Sequence, residues 1–60
     1  MNRVHKSQVR EILILTTDLK NKLNATYWAA GENLSTHECI EIKKALAELS
    51  SAIQHLTGVI

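Results

Sequence analysis

The chain is 60 residues long, has no proline and a single cysteine, and carries a net charge of +1. These numbers exclude a multidomain protein, a disulfide framework and a Cys/His zinc fold, and so weak a net charge selects no partner. What remains is one domain, residues 1–60, near the lower limit for independent folding, where a monomer buries only about 60% of its unfolded surface.

A first helix is expected from about residue 3 to residue 29. Its opening turns carry Arg3, Lys6 and Arg10 at spacings of three and four, and the row continues through Thr17 towards Lys20 and Asn24. Arg3, Lys6, Arg10 and Lys20 therefore form a candidate face for phosphates or for an acidic protein partner, against the simpler reading of a solvated face. The apolar seam of this helix reads His5, Val9, Ile12, Thr16, Leu19, Leu23, Thr26 and Ala30, again in steps of three and four. The run Ile12-Leu13-Ile14-Leu15 covers every side of a helical turn, so one partner helix cannot bury all of it. It ends at Thr16, far short of the ~20 residues that span a bilayer, and it does not read as a secretory signal. With a single cysteine, a reducing cytoplasm is the expected location. Tyr27 and Trp28, the only aromatics, are neighbours and point about 100° apart on a helix, so one can plug the bundle end while the other faces out.

Ala30-Gly31-Glu32-Asn33-Leu34 reads as the turn. Gly31 is placed to end the first helix with a left-handed residue at little steric cost. Ser35 is an N-cap, Glu38 three residues on completes a capping box, and Leu34 and Cys39 stand at the positions of a hydrophobic staple. The second helix is expected over 36–57, with Gly58 as its C-cap. Its seam, Cys39, Ile42, Leu46, Leu49, Ile53 and Leu56, is a clean heptad alternation.

So short a turn makes the helices antiparallel, with position i facing roughly 65 − i by the hairpin's geometry. Ile12 would then meet Ile53, Leu19 would meet Leu46, and Thr26 would meet Cys39. Charge supports the pairing: residues 1–30 carry five cations and two anions, a balance of +3, and residues 31–60 carry two cations and four anions, a balance of −2. The fold class is thus all-α, an antiparallel hairpin of two helices.

Two helices have no interior, so self-association into a four-helix bundle, as a homodimer or higher homo-oligomer, is expected. Leu13, Ile14, Leu15 and Trp28 on the first helix, and Ile40, Ala45 and Ala52 on the second, are the candidate interface. A hairpin of this length resembles the Rop-like helical-hairpin dimers in architecture, without a shared sequence motif, and has the size of many phage and plasmid accessory proteins. That resemblance implies an adaptor, inhibitor or regulator.

No Ser/His/acid set converges, no glycine-rich loop follows a strand, and His37 with Glu41 supplies two metal ligands at most. No catalytic, cofactor or metal residue and no small-molecule substrate is expected. The sequence predicts a non-enzymatic module that binds another protein. The competing reading is a regulator that binds RNA or DNA through the basic face.

Overall fold

A computed structural model describes all residues, Met1–Ile60. Helix α1 spans Arg3–Ala30, a 3-10 turn covers Gly31–Asn33, and helix α2 spans Thr36–Val59. The two helices pack against each other as an antiparallel hairpin, and there is no strand. The helix limits lie within two residues of those expected from the sequence.

Local chemistry explains each end. Asn2 caps α1: its Oδ1 accepts the His5 backbone N–H at 2.9 Å. At the other end the Gly31 N–H still bonds the Tyr27 carbonyl, while its φ of 47° and ψ of −118° turn the chain out of the helix. Its φ is positive as expected, but ψ lies outside the left-handed helical region, a combination open to glycine because it lacks a Cβ. Gly31 is the only residue with positive φ. The Leu34 N–H then returns to the Gly31 carbonyl at 3.2 Å. The capping box is complete: the Glu38 N–H donates to the Ser35 Oγ at 3.1 Å, and the Ser35 N–H donates to the Glu38 Oε1 at 2.8 Å. Gly58 departs from expectation. It keeps a helical φ, and α2 continues through it to Val59. Glycine tolerates either conformation, and staying helical keeps the backbone hydrogen bonds of the last turn.

The seam of α2 is the one expected: Cys39, Ile42, Leu46, Leu49, Ile53 and Leu56 are all half-buried, with Ala45, Ser50 and Ala52 half-covered beside them. The seam of α1 is not. Its half-buried residues are Val9, Leu13, Thr16, Lys20, Leu23, Tyr27 and Ala30. The heptad row Val9–Thr16–Leu23–Ala30 stands, but its companion is Leu13–Lys20–Tyr27 instead of Ile12–Leu19–Thr26, and His5 is exposed. Both rows flank the shared one, and the tertiary fit decides between them. Tyr27 brings far more burial than Thr26, Leu13 matches Ile12, and Lys20 can lay its aliphatic stem along the seam while its ammonium stays in water. The hydroxyls of the half-buried residues Thr16 and Ser50 cost little, because each donates to a carbonyl of its own helix, Ile12 at 2.7 Å and Leu46 at 3.0 Å.

No residue of the hairpin is fully buried. The molecule measures 46 × 15 × 10 Å with a radius of gyration of 14.2 Å, against about 10 Å for a compact chain of this length. It exposes 4760 Å², where a compact monomer of 6.7 kDa exposes about 3,900 Å². An α-helical pair without a third layer leaves this much surface in water.

Candidate interaction surfaces

The hairpin has two open flanks, and helix phase assigns residues to each. On α1 the positions just before the seam row Leu13–Lys20–Tyr27 are Ile12, Leu19 and Thr26; on α2 those before Leu46 and Ile53 are Ala45 and Ala52. Reversing the direction of one helix also reverses its facing, so these two sets border the same flank of an antiparallel pair. The opposite flank takes Arg10, Thr17 and Asn24 from α1 with Lys43, Ser50 and Thr57 from α2.

In the rows beside the seam one flank is therefore apolar through its middle and the other polar, with Ile14, Trp28 and Ile40 exposed along the outer edges of the polar one. Ile12 and Leu19 are 51% and 60% exposed, and Leu15, three residues after Ile12 and four before Leu19, is 61% exposed. Between them and the second helix lies the low ground of Ala45 and Ala52. Towards the ends this flank becomes polar, with His5 and Thr26 on α1 and Glu38 on α2.

The candidate interface residues do not share a face. Leu13 lies half-buried in the intramolecular seam. Leu15, Ala45 and Ala52 border the apolar flank. Ile14 and Trp28, 63% and 74% exposed, border the polar flank on the outer side of α1, and exposed Ile40 borders it on the outer side of α2. Ile12 and Leu19, assigned to the seam from sequence, belong instead to the apolar flank. Their one available signal was the ambiguity between two equally spaced rows.

The basic face divides similarly. Arg3, Lys6 and Arg10 are exposed and form no ion pair, the one salt bridge of the molecule being Lys44 to Glu41 at 3.5 Å. Lys20 is apart from them, half-buried in the seam. Trp28 extends the row Arg10–Thr17–Asn24 by four residues, so an exposed indole stands at one end of the face and the cations at the other. Only the Tyr27 ring accompanies it, edge-on at 5.7 Å between centroids.

The surface carries no cavity, and no three His, Cys, Asp or Glu side chains converge as metal ligands. Neither helix is long and apolar enough to cross a membrane. The Glu38 carboxyl is held below the ordinary carboxylate range. The Ser35 backbone N–H, and secondarily its hydroxyl, hold that carboxyl low, a consequence of helix capping. No family model, curated protein or solved structure matches the chain, so its functional reading rests on the geometry.

Proposed function

We propose that this chain is a non-enzymatic interaction module, a helical hairpin that acts by binding another protein as an adaptor, inhibitor or regulator. The observation that carries the proposal is the absence of any fully buried residue beside large apolar side chains on both the flank and the back of α1. Isolated apolar residues on a surface are ordinary, but a whole molecule without a core implies that its apolar surface is completed by association. Its size and architecture suit an accessory protein of the phage or plasmid type acting in the cytoplasm, where a single unpaired cysteine is stable. Ile14 and Trp28 are the anchors offered to a different protein, Trp being a residue favoured at the centre of binding sites. The test is affinity capture from the native host with nuclease present, using wild type and the Ile14→Glu/Trp28→Ala double variant. The proposal expects a protein captured by wild type and lost with the variant. Capture that needs nucleic acid, or that ignores both substitutions, counts against it.

One observation favours a second reading, as an RNA- or DNA-binding regulator: Arg3, Lys6 and Arg10 are unpaired and in line with an exposed indole. Such binding weakens with salt, log K falling with a slope of about −0.9 against log salt for each phosphate neutralised on a duplex. Affinity retained in Arg3→Glu/Arg10→Glu rejects this reading.

A further inference from the structure

We infer that the apolar flank, Ile12, Leu15 and Leu19 beside Ala45 and Ala52, docks a second copy of this chain. In the resulting four-helix bundle, α1 of each copy lies over α2 of the other. The inference rests on the reading of the hairpin as an interaction module and names its first partner.

Three observations lead to a second copy. The first is area. The hairpin exposes 4760 Å² against about 3,900 Å² for a compact monomer of its mass, and the excess, on the order of 850 Å², matches the ~800 Å² that one partner contributes to a standard interface. The second is asymmetry. The rows beside the seam are polar on one flank, at Arg10, Thr17, Asn24, Lys43 and Thr57, and apolar on the other, at Ile12, Leu19, Ala45 and Ala52. The third is self-complementarity, which a twofold contact requires. Bulky residues line the α1 edge of the flank and alanines line the α2 edge, so the surface carries both a ridge and the furrow that fits it.

The stacking order follows from size and charge. Rotation about an axis along the helices brings α1 of one copy over α2 of the other. The Ile12 and Leu19 ridge then enters the alanine furrow. The outer edge bearing Leu15 and Lys22 faces the outer edge bearing Glu41 and Glu48, in keeping with an α1 half of +3 and an α2 half of −2. Because such an axis moves nothing along the helices, every residue keeps its own level and all adjacent helices run antiparallel. Rotation about an axis across the helices stacks α1 on α1 instead. That sets ridge on ridge, leaves the alanines facing alanines over a gap, and brings the edge bearing Glu41 and Glu48 against the same acidic edge of the other copy.

The full chain with Cys39→Ser, to remove its own thiol, is the protein to measure. Sedimentation equilibrium at micromolar concentration is expected to return twice the 6.7 kDa chain mass, and the thermal midpoint is expected to rise with protein concentration. Leu19→Glu should abolish the doubled mass, while Thr17→Glu on the polar flank should keep it. A folded monomer, or a doubled mass that survives Leu19→Glu, overturns the inference. Should Leu19→Glu unfold the chain, the decision passes to disulfide trapping, with Leu19→Cys chains mixed with Ala45→Cys or Ala52→Cys chains. Cross-links between the two kinds of chain support the stacking; cross-links of Leu19→Cys chains with each other alone overturn it. A folded monomer that still captures a nuclease-insensitive protein through Ile14 and Trp28 rejects the dimer and leaves the module reading standing.

Discussion

Replacing Gly31 with L-alanine in one chain and D-alanine in another isolates what the hairpin turn requires. Gly31 sits at φ 47° and ψ −118°, and changing the sign of both angles gives an ordinary extended conformation for an L-residue. The position is thus suited to a D-residue and unsuited to an L-residue. A Cβ added there meets nothing within 4 Å, so packing contributes to neither variant. L-alanine should cost about 1–3 kcal/mol in native backbone strain. D-alanine should gain about 0.4–1 kcal/mol, because the unfolded chain loses freedom while the native turn is undisturbed. In a domain this small, each kcal/mol moves the midpoint by about 4–8 °C, so the two variants should differ by on the order of 10 °C or more. A chain of 60 residues is accessible to chemical synthesis, and thermal unfolding followed by circular dichroism at one fixed protein concentration makes the comparison. Midpoints within two or so degrees, or an L-alanine chain more stable than the D-alanine chain, would refute the argument that backbone conformation at Gly31 ends α1.

Ser35→Ala removes one side of the capping box and should cost about 1 kcal/mol, read from the shift of the urea midpoint at constant slope. The lowered Glu38 carboxyl, held down first by the Ser35 backbone N–H, ties that cap to pH. Its stabilisation is complete above the ordinary carboxylate value and is lost as pH falls from there through the lowered native value. Glu38→Gln should therefore flatten the acid limb of stability against pH in that window, and an unchanged limb would show that the cap plays no part. Lys20→Leu puts a fully apolar side chain at a half-buried seam position and should stabilise by roughly 1 kcal/mol, about half the value of complete burial. No gain in urea unfolding would argue that the seam runs through Leu19 after all.

Much of the hairpin was legible because its signals are local. Ser35 and Glu38 announce a helix start through hydrogen bonds that close within three residues, and Gly31 announces a helix end through its own permitted angles. The α2 seam was legible for a related reason: apolar residues occupy one alternating set of positions there, and alanine, serine and charged residues occupy the rest. On α1 apolar periodicity favours the companion row that the structure leaves exposed. Ile12–Leu19–Thr26 and Leu13–Lys20–Tyr27 share the helical period equally well, and a lysine looks out of place in a seam. Periodicity measures how apolar a row is, and it carries no weight for the length of a lysine stem or the area of a tyrosine ring.

The residues by themselves determined two antiparallel helices, the limits of both to within two positions, the cap that starts the second and the face by which it packs. Each of these depends on contacts within a turn or on one helix's own period. The rotation of α1 about its axis was decided only in three dimensions, where both helices compete for the same shared layer. That rotation draws Leu13 and Tyr27 inward and turns Ile12 and Leu19 out, beside Ala45 and Ala52. The apolar flank is a property of the pair of helices, since each supplies one edge of it and neither edge is a surface alone.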